Sequence, residues 1–298
     1  RVDVPSGGRY EIAIRYRPRP GKSAPIEREL RIDGEIPFRE ARSLVLQRTW
    51  KDEQSGVRRD NRGNDMRPRQ LEVVDWRTQR FRDNDGYYNG AAFRFYLTAG
   101  THTIQLVSVR EPVTIDYMEL VPAEELPSYE TALREWRARG YQAVSDRLVT
   151  IQAERAVLKS APSLYPEEDR TELTVQPYHP SRIRLNTVGG TNWRHPGQWI
   201  EWEVEVPERG FYRLAFRLQQ NQLRGLFSHR RVYVNGEVPY RELDAVPFDF
   251  DSGWRTETLR VEGEPALIPL KEGTNTIRLE VTLGELSQQM RRVEDIVY

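Results

Sequence analysis

Acidic side chains at alternate positions are the most suggestive chemical feature of the sequence. Glu201, Glu203 and Glu205 lie within one short segment, and paired carboxylates are the groups that hydrolyse glycosidic bonds. Apolar residues separate them, however, and this alternation is the ordinary pattern of a strand with one solvated face. We therefore interpret the three glutamates as a solvated strand face.

The other residue types that could carry catalysis lack the required spacing. The chain has no cysteine, no Gly-x-Ser-x-Gly motif and no phosphate-binding glycine-rich loop. Its histidines do not show the spacing of a metal site; they are His102, His179, His195 and His229. The sequence thus predicts a protein without enzymatic activity.

Two segments rich in oxygen ligands could bind a cation. Residues 60–65 and 83–86 are dense in aspartate, asparagine and glycine. Neither has the closing glutamate of the twelve-residue EF-hand loop, and polar hairpin loops have the same composition. We interpret both segments as turns.

An internal repeat organises the elements that must position these residues. Residues 4–10 match 206–212, and residues 32–40 match 234–242, both at an offset of 202. Further along, 76–78 matches 254–256 at an offset of 178, and 100–104 matches 273–277 at an offset of 173. The first copy therefore contains about 24 additional residues, between roughly Gln47 and Gln70.

Within each copy, apolar residues recur at every second position, as in half-buried strands. Turn residues (Gly, Pro and Asn) separate these segments about every ten residues. The segments are 10–16, 93–97, 103–109, 199–206, 211–218 and 276–281. We predict an all-β protein of two β-sandwich, jelly-roll domains.

The region between the copies has a different pattern. Residues 131–139 are helix formers throughout, Pro127-Ser128 can begin a helix, and Gly140 ends it. We predict a short helical linker at 123–147 between a first module at 1–122 and a second module at 148–298.

Charge and hydropathy exclude two classes of partner. The chain has 45 basic and 45 acidic residues, so no net charge attracts it to nucleic acid. No apolar run approaches the ~20 residues that cross a bilayer. We expect neither a nucleic-acid partner nor a transmembrane segment.

The second copy resembles a known group of sugar-binding domains. The segments that carry the likeness are 151–154, 197–202, 206–212, 252–256 and 273–279. Their order is similar to that of carbohydrate-binding modules of families six and thirty-five, which are galactose-binding-like jelly rolls. The tandem arrangement resembles the paired sandwich region of Gram-positive surface lipoproteins that accompany sugar ABC transporters.

The resemblance implies a carbohydrate site in the loops at one end of each sandwich. Two aromatic rings would flank a pyranose, whose apolar C–H faces stack on indole. Trp254 and Trp76 match one ring of the family, and Trp193, beside Asn192, falls near the other. Each tryptophan could instead be an ordinary core or contact residue.

The resemblance also implies a structural calcium ion, held by an early glutamate and a late aspartate. Glu154 and Asp295 match these positions in the second copy, where we place Asp295 on the final strand. A solvated carboxylate pair is the alternative. The first copy has Asp116 without the matching glutamate.

The function implied is non-catalytic glycan or polysaccharide recognition by an extracellular protein on the surface of a Gram-positive bacterium, serving sugar capture or uptake. Two alternatives stay open. The chain could be a structural or assembly module of a surface lipoprotein, or an ancillary domain of a polysaccharide-degrading enzyme.

The two copies differ at their starts. In the second copy about 55 residues, 150–205, precede the shared Val-Pro-x-x-Gly motif, whereas in the first only residues 1–3 do. An open sandwich edge favours aggregation. We therefore predict that an upstream segment of the same polypeptide completes the first module, with strands from a partner subunit as the alternative.

Overall fold

The computed structural model describes residues 1–298 except 54, 55, 87, 89, 124 and 298 and the side chains of 294–297. Its strands are β1 (Val2–Val4), β2 (Gly8–Pro18), β3 (Ile26–Ile32), β4 (Leu44–Leu46), β5 (Trp50–Asp52), β6 (Arg58–Arg59), β7 (Asp65–Met66), β8 (Gln70–Glu72), β9 (Arg77–Arg80), β10 (Phe95–Leu97), β11 (Gly100–His102), β12 (Ile104–Arg110), β13 (Val113–Pro122), β14 (Leu158–Lys159), β15 (Pro166–Glu167), β16 (Thr187–Val188), β17 (Trp199–Val206), β18 (Gly210–Tyr212), β19 (Ala215–Gln220), β20 (Ser228–Val234), β21 (Val246–Phe248), β22 (Asp251–Thr258), β23 (Arg260–Val261), β24 (Glu264–Pro265), β25 (Ile268–Leu270) and β26 (Gly273–Thr282). The helices are α1 (Tyr129–Ala138) and α2 (Leu286–Val297).

The chain divides into two compact units. The first comprises residues 1–49, 72–125 and 285–298, and the second comprises residues 50–71 and 126–284. Strands build most of each unit, so the predicted all-β class is confirmed.

The first unit is a sandwich of two antiparallel sheets. One sheet has the order β10-β2-β13, with β9 also paired to β2, and the other has the order β12-β3-β4. Alternate residues of β2, among them Ile12 and Ile14, pack against Ile26 and Leu30 of β3. The core therefore lies between the two sheets, as period-two burial requires.

The second unit has the same plan with a larger sheet. Its strand order is β21-β20-β26-β17-β14-β5-β8, and the facing layer contains the pairs β18-β25 and β19-β22. Ile200, Trp202 and Val204 of β17 join Ile268 and Leu270 of β25 in one buried cluster. Apolar residues from both layers thus form this core.

Strand register confirms the internal repeat. β2 pairs with β10 and β9, and the matching segments β18 and β19 pair with β25 and β22 at corresponding residues. The pair Tyr10–Phe95 corresponds to Tyr212–Ile268, Tyr16–Arg77 corresponds to Leu218–Arg255, and Ile32–Ile104 corresponds to Val234–Ile277. The two copies therefore occupy equivalent strands.

A tight turn recurs at the end of β3 and β20. Asp33 and Gly34 both have positive φ, of 53° and 90°, and Asn235 and Gly236 have φ of 53° and 87°. Two successive residues with positive φ form a type I′ turn, which Asp-Gly and Asn-Gly favour. This turn chemistry explains why the motif is among the best-matched parts of the repeat.

The additional segment of the first copy folds into the second unit. Its strands β5 and β8 extend the large sheet beyond β14. Lys159 of β14 is fully buried and donates from Nζ to the carboxylate of Asp52 and to Oε1 of Gln70. The predicted first module, 1–122, thus differs from the first compact unit, which excludes residues 50–71.

Helix α1 lies in the predicted linker but belongs to the second unit. Ser128 caps its start by accepting a hydrogen bond from the Thr131 amide, and Gly140, with φ of 86°, follows its end. Ala132 is 2 % exposed and packs in the second core. The segment 123–147 is therefore part of a folded unit and not only a connection.

Two other regions differ from the sequence-based expectation. Asp295, which we placed on the final strand of the second module, lies in α2 (Leu286–Val297), which belongs to the first unit. Glu201, expected on a solvated face, is 6 % exposed and forms an ion pair with Arg278 at 2.7 Å. Pairing explains the buried carboxylate, because an unpaired charge would be strongly disfavoured there.

Candidate functional site

A tryptophan, an arginine and a carboxylate form a cluster in the second unit. β19 and β22 pair with Arg217 opposite Thr256. Phe216 and Leu218 pack on the core, so the alternation of the strand directs Arg217 to the opposite, outer face. The side chain of Arg217 is 40 % exposed.

Glu172 joins these groups. Its Oε1 accepts from the backbone N–H of Trp254 at 3.0 Å, and its Oε2 accepts from Nη2 of Arg217 at 3.2 Å. The same Nη2 donates to Oγ1 of Thr174 at 2.6 Å. The carboxylate therefore holds the arginine beside the tryptophan-bearing strand.

The indole N–H of Trp254 lacks a hydrogen-bond acceptor among the described residues. The residue is partly buried and is not a member of the main buried cluster of its unit. Its Nε1 is buried and has no hydrogen-bond partner among the described residues. An unpaired buried donor costs about 1–3 kcal/mol of stability.

The first unit carries an equivalent cluster on its outer face. Trp76 corresponds to Trp254 and is 41 % exposed. The guanidinium carbon of Arg15 lies 5.5 Å from the centre of its ring, and Nη1 of Arg15 is 3.4 Å from Oδ2 of Asp116. Arg15 pairs opposite Thr78, as Arg217 pairs opposite Thr256. Each unit thus presents an indole, a guanidinium and a carboxylate.

Trp193, the second predicted ring, has partners of its own. Its Nε1 donates to the carbonyl of Gln198 at 3.2 Å, and its ring packs edge-on against Trp202 at 6.3 Å. The guanidinium of Arg230 lies 4.5 Å from its ring centre. The N–H, the edge and one face of the Trp193 indole therefore all contact protein groups.

Asn192, the predicted hydroxyl-binding amide, lies in the turn before Trp193. Its Nδ2 donates to Oε1 of Glu167 at 2.9 Å. The structure therefore places Asn192 and Trp193 in one turn, each with a protein partner, and places Trp254 and Trp76 in the outer-face clusters of separate units.

Glu154, the first predicted calcium ligand, is 6 % exposed, and its Oε2 is buried without a hydrogen-bond partner among the described residues. Burial raises the pKa of this carboxyl. Asp295 lies in α2 of the first unit, and its side chain is outside the described part of the chain. No group of three or more His, Cys, Asp or Glu that could hold a metal occurs in the described residues. The pairing of Glu154 with Asp295 stays a prediction.

The two oxygen-rich segments use their carboxylates to hold turns. Oδ1 of Asp60 accepts from the amides of Arg62 and Asn64, at 2.9 and 2.8 Å. Asp83 accepts from the amides of Asp85 and Tyr88, at 2.9 and 2.8 Å. These contacts support the interpretation of both segments as turns.

Arg217, Arg15 and Glu172 were not identified from the sequence. The two arginines stand 202 residues apart, the offset of the repeat, and each occupies an outward position of an alternating strand. That combination is the signal that could have found them. Nothing in the sequence marks Glu172, which approaches from a separate loop.

Comparisons with known proteins give structural similarity only. No family model and no curated protein matches the chain. Among solved structures, a family 35 carbohydrate-binding module from Clostridium thermocellum is 20% identical, with a TM-score of 0.32, over 45% of this chain and 85% of that one.

Two further structures show similarity of the same extent. A family 35 carbohydrate-binding module from an environmental isolate is 22% identical, with a TM-score of 0.25, over 41% of this chain and 78% of that one. A cycloisomaltooligosaccharide glucanotransferase from Paenibacillus sp., in complex with cycloisomaltoheptaose, is 21% identical, with a TM-score of 0.33, over 55% of this chain and 22% of that one. Similarities of this extent do not show a shared function.

The structure also addresses the expectation about membrane spans. Among the described residues, no helix has the length and apolar character needed to cross a bilayer.

Proposed function

We propose that the chain is a non-catalytic carbohydrate-binding protein and that each unit binds sugar at its outer-face cluster. The observation that carries this proposal is the recurrence of tryptophan and arginine at equivalent positions of the two copies, Trp254 with Arg217 and Trp76 with Arg15. Each arginine also has a carboxylate partner, Glu172 or Asp116, from a different part of its unit. Structural packing alone does not require an arginine and a tryptophan to lie together on an outer face.

The chemistry of the cluster matches that of a pyranose. The apolar C–H face of the sugar stacks on an indole, as other apolar groups do. Guanidinium N–H groups donate to hydroxyl oxygens, and a carboxylate accepts from hydroxyl hydrogens. The cluster therefore offers both the apolar and the polar contacts that a sugar needs.

A glycan array followed by calorimetry on the retained polysaccharide tests the proposal. Trp254→Ala and Arg217→Ala should each weaken binding by the second unit about tenfold, which corresponds to ~1.4 kcal/mol. Phe227→Ala is the matched control, because this ring is 53 % exposed and lies outside the cluster. Folded protein that binds no plant or bacterial polysaccharide would instead support a structural module.

The proposed setting follows the sequence resemblance. It is the surface of a Gram-positive bacterium, where the chain would belong to a lipoprotein that captures sugar for an ABC transporter. Cell fractionation with an antibody against the second unit tests this placement, and protein recovered only from the cytoplasm would contradict it.

A calcium ion at Glu154 is also part of the proposal. Its support is the buried, unpartnered carboxylate oxygen of Glu154, since carboxylate oxygen is a preferred ligand of calcium. Addition of Ca²⁺ to metal-free protein should raise the Tm, and Glu154→Gln should remove that increase. An equal response of both proteins would place the ion elsewhere.

A further inference from the structure

One edge of the smaller sheet of the first unit carries no strand. β12 pairs with β3 along one edge, and within the described part of the chain nothing pairs with its other edge. The equivalent strand of the second unit, β26, pairs along that edge with β17 over its whole length, from Trp199 to Val206. The two copies therefore differ by one central strand.

β1 occupies the last positions of this strand. Val4 pairs with Gly100 and Val2 with His102 in the first unit, whereas Val206 pairs with Gly273 and Val204 with Asn275 in the second. The two sets of pairs are equivalent in the repeat, because the β1 residues match β17 at the offset of 202 and Gly100 and His102 match Gly273 and Asn275 at the offset of 173. Residues that lead into Arg1 along the line of β1 would consequently face Ile104 and Leu106.

The space that the missing strand would fill is open. A cavity of about 140 Å³ lies between the two sheets of the first unit. Its lining residues include Val2, Ile12, Ile104, Met118 and Leu120. In the second unit Trp202 of β17 faces Ile277, the counterpart of Ile104, and is 8 % exposed within the core.

The apolar residues of β12 are more exposed than their counterparts in β26, which β17 covers. Ile277 and Leu279 of β26 are 4 % and 6 % exposed. Their counterparts, Ile104 and Leu106, are only half-buried, and Met118, across the gap, is 37 % exposed. Covering these side chains would stabilise the unit, because it removes apolar surface from water.

We propose that the free edge of β12 accepts a β-strand that runs directly into Arg1, antiparallel to β12, with apolar side chains opposite Ile104 and Leu106. The register of β1 determines this occupant, because only a strand continuous with β1 keeps the pairs already formed. The donor is a segment of the same polypeptide, and its pattern is that of Trp199–Trp202, with apolar residues at alternate positions.

An in-register extension tests the proposal. A copy of residues 199–202 placed directly before Arg1 puts tryptophan opposite Ile104 and isoleucine opposite Leu106. We expect it to raise the Tm of the first unit by about 5 °C. The matched control carries the same four residues with one threonine inserted before Arg1, which turns every side chain to the other face and should not raise the Tm.

A disulfide measures the register independently, because the chain has no cysteine of its own. Cysteine in place of the copied glutamate lies opposite Gln105, so Gln105→Cys should form an intramolecular disulfide with it on mild oxidation. The off-register control is Val109→Cys, which should remain reduced.

Two results would overturn the proposal. One is an equal Tm for the in-register and shifted extensions, and the other is a disulfide that forms equally at both positions or only between molecules. Neither measurement involves sugar, so the outcome is independent of carbohydrate binding.

Discussion

Arg230 covers one face of Trp193 while Trp202 meets its edge, and this enclosure separates Trp193 from the other two tryptophans of interest. A Cβ added at Gly189 would come within 2.9 Å of the Trp193 ring, so the turn is shaped around the indole. Trp76, by contrast, is 41 % exposed. The three rings have the same chemistry but different surroundings.

Truncation should separate these roles. Trp193→Ala should destabilise the second unit by about 3 kcal/mol, because it removes a packed aromatic side chain, whereas Trp76→Ala should change the free energy of unfolding by less than about 0.5 kcal/mol. Urea denaturation of both variants checks this. Equal losses of stability would show that Trp76 also belongs to a core.

The raised pKa of Glu154 predicts that the stability of the folded protein depends on pH. Because burial raises the pKa of the folded carboxyl, the folded state holds this proton more tightly than the unfolded state. Stability therefore falls as pH rises from the ordinary pKa of a glutamate through the raised value. Glu154→Gln cannot ionise, so in metal-free buffer its Tm relative to wild type should increase between pH 4 and pH 8.

Thermal denaturation at several pH values measures this difference. Glu203→Gln is the control, since that glutamate is exposed on the same unit. A Tm difference for Glu154→Gln that is constant with pH would show that the carboxyl titrates normally.

The segment of residues 50–71 is attached to the second unit through buried charged side chains. Lys159 is fully buried, and Asp52 and Gln70 are its partners. Burial lowers the pKa of this lysine, and its hydrogen bond to the Asp52 carboxylate raises the pKa in opposition. A second ion pair joins Arg184 to Asp65 at 3.0 Å.

Removing the Asp52 carboxylate should therefore lower the free energy of unfolding more than removing the Lys159 ammonium. Asp52→Asn leaves a buried ammonium without its anion and should cost about 3–5 kcal/mol. Lys159→Met leaves Asp52 with the amide of Gln70 and keeps an apolar stem in the sheet, so its loss should be smaller. Chemical denaturation compares the two, and the reverse order would contradict a charged Lys159.

Local patterns predicted the strands and α1 well, because alternation and capping depend on residues close in the chain. Residues 50–71 belong to the second unit because β5 pairs with β14, about a hundred residues away. The sequence has no local signal for this pairing. The placement of Asp295 on a final strand was wrong for a different reason. The strand there was implied by the family resemblance, whereas the apolar residues Leu286, Met290, Val293 and Val297 follow a helical period.

For the whole chain the repeat was the most informative feature, since it predicted two equivalent modules, and the structure pairs the matched strands at corresponding residues. It also predicted the tryptophan of each cluster. It could not predict Glu172, which approaches from a loop outside the matched segments, or the division of the chain into units, because residues 50–71 have no counterpart in the second copy.

The division of the chain predicts the outcome of cleavage between the copies. A specific protease site inserted before α1 would give an N-terminal fragment whose residues 50–71 are part of the second unit. The fragments should therefore elute together on gel filtration in native buffer and separate only in denaturant. Separation in native buffer would show that residues 50–71 do not hold the fragments together.

The chain passes between its two units at residues 49–50, 71–72, 125–126 and 284–285. Although the units descend from one repeated pattern, neither is a continuous stretch of sequence. A single recombination event cannot transfer one of them whole to another gene, as happens with domains joined by one linker. The pair is thus expected to be inherited as one indivisible piece, with both outer-face clusters gained or lost together.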